Sequence, residues 1–355
     1  MRFPFWLITL LIFIDCAPLK RGNDEDENLL QRPKPSAPET PSAPEKPPLF
    51  ADHSPNRVIG LENCGSTCFM NSALQVLIHT PIIADYFTQE KLPVVVPADK
   101  TRDHDIIETF HGLYQAYATT NLSVLRPQDM ANLLPSVMFQ YDNNNRSQED
   151  AEEYVSKILE IFTENKLILD VFSGRYRNTI EQDEKNKAKY IQDRIKFEPF
   201  GSLQFEIPGS GHSLAELIEI SQREEITDIG DKRKLEIYEF APKPAYLMLH
   251  LKRFKFEFDR NTKVMRLNKI QTEVKVSPEL KVQAIQDKTP RTFSLYGVVI
   301  HQGSSLGSGH YFALVKKHGN WFEANDSQVI SRTEVQALEE STKNGYLFFY
   351  REETQ

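Results

Sequence analysis

The spacing of apolar residues changes once along this chain, and that change limits the folds open to it. In the first part of the region beyond Asn56 they recur at helical intervals: Phe69, Ala73, Val76 and Leu77, then Ile106, Phe110, Leu113 and Tyr117, then Ala151, Val155, Ile158 and Phe162. Later the period shortens. Leu203-Phe205-Ile207, Ala245 to Leu251, Phe293 to His301, Tyr311 to Val315 and Tyr346 to Tyr350 are short alternating or continuous apolar runs, rich in aromatic and β-branched residues. Between the first two of these runs, Ser213 followed by Glu216 predicts a helix opened by a capping box. Helices grouped ahead of strands predict an α+β fold, a helical lobe packed on a mostly antiparallel sheet, with an active site in the cleft between them.

Composition narrows the chemistry. At 355 residues and 40% apolar content the chain supports one large or two ordinary domains. A formal charge of −8 lacks the basic stripe of a nucleic-acid binder, so no nucleic-acid partner is expected. Three cysteines, Cys16, Cys64 and Cys68, provide neither a disulfide framework nor an all-cysteine zinc site. No metal and no cofactor are expected.

The N-terminal residues read differently from the rest. Residues 3–14 form an almost wholly apolar run after Met1-Arg2, about as long as the core of a signal peptide and short for a membrane span. Residues 1–16 are therefore expected to target or anchor the chain, giving a secreted or membrane-tethered protein, with a cytoplasmic one as the alternative. Residues 17–55 are acidic and then proline-rich, with a near-repeat in Ser36-Ala37-Pro38-Glu39 and Ser42-Ala43-Pro44-Glu45. Fixed proline φ angles favour an extended spacer there. The catalytic domain is placed at 56–352.

Two segments carry chemistry. In Gly60-Leu61-Glu62-Asn63-Cys64-Gly65-Ser66-Thr67-Cys68-Phe69-Met70-Asn71-Ser72 a turn gives way to an amphipathic helix, with Cys68 at its N-terminus. Unpaired N–H groups at such an end favour a thiolate, the reactive form of a cysteine. In Gly307-Ser308-Gly309-His310-Tyr311 a turn delivers His310 to the start of a strand, and Asn325-Asp326 fall in the turn after the next strand. There an amide or carboxylate could accept a hydrogen bond from His310 Nδ1–H, completing nucleophile, base and orienter. Spacing alone leaves nine histidines competing for the role of base.

These two segments resemble the Cys and His boxes of the ubiquitin-specific protease family. Gln148-Glu149-Asp150-Ala151-Glu152-Glu153-Tyr154, Leu249-His250-Leu251-Lys252-Arg253-Phe254 and Tyr346-Leu347-Phe348-Phe349-Tyr350-Arg351 resemble further family segments, in the family's order from about Arg57 to Arg351. The resemblance implies a papain-like thiol deubiquitinase with thumb, palm and fingers, hydrolysing the bond after the Gly-Gly terminus of ubiquitin. It implies Cys68 as nucleophile, His310 as general base and then acid, and Asn325 as orienter, with Asp326 as second candidate. Asn63 would aim its amide, with the Cys68 N–H, at the oxyanion. Asp150 and Glu153 would receive the basic tail of ubiquitin. The alternatives are a protease for NEDD8 or SUMO and a catalytically silent ubiquitin reader.

The chain also departs from the family. Many members hold their fingers with zinc between two Cys-x-x-Cys pairs, whereas no cysteine follows Cys68, so shortened, metal-free fingers are expected over Phe172 to Lys234. Ser66 stands where asparagine is commonest. Lys252-Arg253 reads as a solvated strand end, and His250, His301 and His318 as structural. Asn325-Asp326-Ser327 is a glycosylation sequon, which argues for a domain working in a reducing cytosol, held there by a tether or delivered into a host cell as an exported effector.

Overall fold

The inner strands of the sheet at the centre of this protein are buried on both faces, which is why they read as continuous apolar runs. The computed structural model describes residues 54–88, 101–138, 141, 148–165, 171–181, 194–209, 211–226, 232–241, 245–259, 264–305 and 308–353. They belong to one unit within 48–355. The targeting segment 1–16 and all but the last two residues of the 17–55 spacer lie outside the described residues. Among those described, no helix is long and apolar enough to cross a membrane.

The helical lobe comprises α1 (Cys68–Ile78), α2 (Pro81–Phe87), α3 (Thr101–Thr119), α4 (Gln128–Asn132), α5 (Leu134–Val137) and α6 (Ala151–Glu164). A short parallel pair, β1 (Gly60–Leu61) and β2 (Val124–Leu125), ties its entry to the loop after α3. Every residue of α1 is buried, so this helix runs through the interior. Pro81 sits in the first turn of α2, where its missing N–H costs nothing, and so breaks α1 from α2.

The main sheet runs β15 (Gln328–Arg332), β14 (Asn320–Asn325), β13 (Ser308–Lys317), β12 (Arg291–Ser305), β16 (Gly345–Glu352), β8 (Tyr246–Leu251) and β5 (Leu203–Phe205), with β11 (Glu279–Val282) on β12. It is antiparallel except where β5 meets β8. Val299, Tyr311, Ala313, Val315 and Phe349 face a core shared with α1 and α6. Their neighbours Val298, Ile300, Phe312, Leu314 and Phe348 face a second core closed by α7 (Leu214–Ser221), which opens with the predicted Ser213/Glu216 box, and by α8 (Glu334–Asn344). Trp321, Tyr311 and Phe312 are core residues, as their alternation predicts.

A separate four-stranded sheet, in the order β4 (Arg194–Phe200), β3 (Gly174–Glu181), β7 (Lys232–Phe240) and β6 (Glu225–Ile226), forms the fingers. The fingers expected over 172–234 run past that range, because β7 supplies a third long strand that extends to Phe240. β9 (Phe254–Asp259) and β10 (Val264–Lys269) make a hairpin beside the palm.

Arg253 corrects the reading of a solvated strand end. Its side chain is fully buried, donating Nε–H to Gly345 O (2.7 Å) and Nη1–H to Ile270 O (3.1 Å) and Thr272 O (2.8 Å). It satisfies three carbonyls where strands end, and burial pushes its pKa down to about 10.

Candidate active site

Cys68 is the first residue of α1 and only 4% exposed. The turn before it is clamped by side chains: Thr67 Oγ1 accepts from Cys64 N–H at 2.9 Å, and Asn63 Oδ1 accepts from Gly65 N–H (3.0 Å) and Thr67 N–H (3.1 Å). Ser66 has φ 54°. That left-handed conformation suits asparagine better than serine.

The second half of the site lies on the β13–β14 hairpin. Ala313 pairs with Ala324, so His310 and Asn325 come together near the open end of the pair. His310 Nε2–H donates to Asn325 Oδ1 at 2.7 Å. The sequence argument expected Nδ1–H. The rotamer decides this, and it leaves Nδ1 as the ring nitrogen for the hydrogen bond that His310 shares with Cys68. That bond, opposed by burial and reinforced by Asn325, raises the His310 pKa to about 9. The raised value favours the charged ring beside Cys68 at neutral pH.

Asp326 takes a different place from that of a second orienter. At φ 49° in the turn after β14, its nearer oxygen is 4.0 Å from His310 Nε2. Oδ2 accepts from Asn63 Nδ2 at 3.0 Å and Oδ1 from Asn71 Nδ2 at 2.8 Å. The Asn71 amide also faces Leu61 O and Glu62 O, both at 3.2 Å. Gly60 permits this approach, since a Cβ there would lie 2.5 Å from Ser327 O. Sequence reasoning missed Asn71. Its signal was a polar residue one turn after Cys68 in a helix whose every residue is buried.

Gln148 was also missed as a site residue, although its segment was noted. Its Nε2–H donates to Cys68 Sγ at 3.5 Å. Two residues on, Asp150 is the N-cap of α6, its Oδ1 accepting from Glu152 N–H at 2.7 Å, and Tyr346 O–H reaches both of its oxygens at 2.8 Å. Burial raises the Asp150 pKa. Its carboxylate is thus turned into the helix end rather than laid along an open acidic face. Glu153 is half-buried, its pKa raised by burial and then by the Asp150 charge. Farther along α6, Glu152, Leu159 and Glu160 face Phe172, Phe200 and Met248 across a groove of about 590 Å³.

A family model described as ubiquitin carboxyl-terminal hydrolase matches residues 59–350. Ubiquitin carboxyl-terminal hydrolase 17-like protein B of Mus musculus is 27% identical over 322 residues, covering 82% of this chain and 63% of that protein. Ubiquitin carboxyl-terminal hydrolase Usp2 of Drosophila melanogaster is 26% identical over 349 residues, covering 84% of this chain and 35% of that protein. The chain thus spans less than two thirds of the length of these relatives. Among solved structures, the SAGA deubiquitinating module of Ubp8, Sgf11, Sus1 and Sgf73 bound to monoubiquitin has a similar fold, with a TM-score of 0.68 at 23% identity over 86% of this chain and 71% of that one. The match spans both halves of the cleft, from the strand before Cys68 to the strand that holds Tyr346, and on it the chain belongs to the ubiquitin carboxyl-terminal hydrolase family.

Proposed function

We propose that the chain is a thiol deubiquitinase that hydrolyses the peptide or isopeptide bond after the Gly-Gly terminus of ubiquitin. The observation that carries this reading is the Cys68–His310–Asn325 line, in which His310 interacts with Cys68 on one side and with Asn325 at 2.7 Å on the other. Cys68 Sγ attacks the carbonyl carbon of the terminal glycine. His310 then passes a proton to the departing amine, and later takes one from the water that releases the acyl group. Asn325 fixes the ring for both transfers. Asn63 donates to the oxyanion: its Oδ1 and one N–H are held by the turn and Asp326, and its second N–H remains for the substrate. Loss of one such donor costs about 10²–10³ in rate.

Glu153, half-buried and with the capping Asp150 behind it, offers its carboxylate to the basic tail of ubiquitin. Residues 56–352 are the catalytic unit, 17–55 a spacer and 1–16 a targeting or anchoring segment that leaves this unit in a reducing cytosol. The sequon at Asn325 supports that placement, since a glycan there would occupy the orienting residue. Incubation with ubiquitin, NEDD8 and SUMO probes bearing C-terminal electrophiles tests the function. An adduct on Cys68 with ubiquitin is expected. Reaction with NEDD8 or SUMO alone transfers the activity to that modifier, and no adduct with any probe leaves a silent reader.

A further inference from the structure

Two side chains reach the sulfur of Cys68, and the proposed chemistry uses only one. His310 is the base. Gln148 comes from the other wall of the cleft, with its Nε2 at 3.5 Å from Sγ. Its approach is fixed from behind, because Asp150 is pinned by Glu152 N–H and by the Tyr346 hydroxyl on the central sheet. An amide N–H gives up no proton at ordinary pH and binds a charged acceptor more strongly than a neutral one.

We infer that Gln148 is a further catalytic residue, whose N–H donates to the Cys68 thiolate, keeps it charged and holds it toward the cleft alongside His310. The inference rests on Cys68 being the nucleophile. As the sulfur–carbon bond forms, negative charge leaves sulfur for the carbonyl oxygen, and the Gln148 bond weakens with it. Its contribution therefore lies in the fraction of enzyme with a competent thiolate, which acts on kcat and on small-molecule reactivity rather than on KM.

The test is the pH dependence of Cys68 alkylation by iodoacetamide in the full chain, in a C16S/C64S background so that one thiol is read. Wild type is compared with Gln148→Ala and the nearly isosteric Gln148→Glu. Losing a hydrogen bond to a charged group moves the acidic limb up by about one pH unit in Gln148→Ala, roughly a tenfold slower reaction on that limb. Gln148→Glu moves it further, because a carboxylate replaces the donor. If the alanine variant does not fold, the glutamate variant decides. An acidic limb unmoved in the folded variants overturns the inference, as does a rise in KM alone, which would mark Gln148 as a substrate contact. The reagent contains no ubiquitin, so a shifted limb without ubiquitin reactivity retires the substrate and keeps Gln148.

Discussion

Replacing Asp150 separates two roles that one carboxylate holds. In Asp150→Ala the N-cap of α6 is lost, about 1 kcal/mol within a range of roughly 0.5–2. The Tyr346 hydroxyl, on a side chain 1% exposed, loses the acceptor it holds at 2.8 Å. A buried donor left unpaired costs a further ~1–3 kcal/mol, so the alanine variant should unfold about 2–4 kcal/mol more easily. Asp150→Asn keeps an acceptor oxygen, caps a helix about as well, and removes a charge whose burial is unfavourable; it should stay within about 0.5 kcal/mol of wild type at neutral pH. The sign of the pH dependence follows from the raised pKa. The folded state holds the Asp150 proton more tightly than the unfolded chain does, so stability from this group is present below the ordinary carboxylate range and is lost as pH rises through the raised value. The asparagine variant should therefore gain on wild type as pH rises from 4 to 7. Urea unfolding of the three proteins across that range measures both effects. An alanine variant as stable as wild type, or an asparagine variant as weak as alanine, refutes the reasoning. The asparagine variant also isolates charge: if Asp150 serves the basic tail of ubiquitin, it reacts more slowly with the ubiquitin probe while remaining stably folded.

Two further predictions concern the His310 side of the cleft. Its raised pKa, about 9 against an ordinary 6.5, means that the stability it contributes is complete below about pH 6.5 and is lost as pH rises through about 9. Titration of the His310 ring by NMR should show that value, and it should fall in Cys68→Ala, since the hydrogen bond with Cys68 is its largest cause; an unmoved titration would reassign the shift. Gly309→Ala would place a Cβ 2.4 Å from Nε2 of the fully buried His301 and 2.6 Å from Gln302 O. Parting β12 from β13 one residue before the base should cost roughly 1–3 kcal/mol in urea unfolding and, because small misplacements at reacting atoms are expensive, on the order of 10²-fold in probe reactivity.

Much of this arrangement was legible in the chain, for identifiable reasons. Stripes such as Ile106, Phe110 and Tyr117 mark helices because one face is buried, and runs such as Tyr346 to Tyr350 mark strands because the sheet carries a core on each face. Ser213 and Glu216 announced their helix by a capping box that local geometry makes. What was not legible depends on partners far away in sequence. Arg253 reads as a solvated cation because nothing nearby shows that Gly345, Ile270 and Thr272 will present carbonyls to it. The nitrogen that His310 offers to Asn325 is set by a side-chain rotamer, which spacing does not encode. Asn71 and Gln148 look like ordinary polar residues until folding brings Asp326 and Cys68 to them across 255 and 80 positions.

The long-range bonds give Asn325 and Asp326 different partners. Sequence order makes them rival orienters of one imidazole. Asn325 Oδ1 accepts from the ring at 2.7 Å, whereas both Asp326 oxygens are held by amides from the cysteine side, Asn63 and Asn71. The peptide between them is therefore a joint: one residue holds His310 and the next holds the loop that carries Asn63. The backbone reinforces it, since Leu61 N–H donates to Asp326 O at 2.9 Å. Cys68 and His310, more than 240 residues apart, are thus registered through a two-residue turn, and the left-handed φ of Asp326 is the conformation that lets adjacent side chains face opposite halves of the cleft.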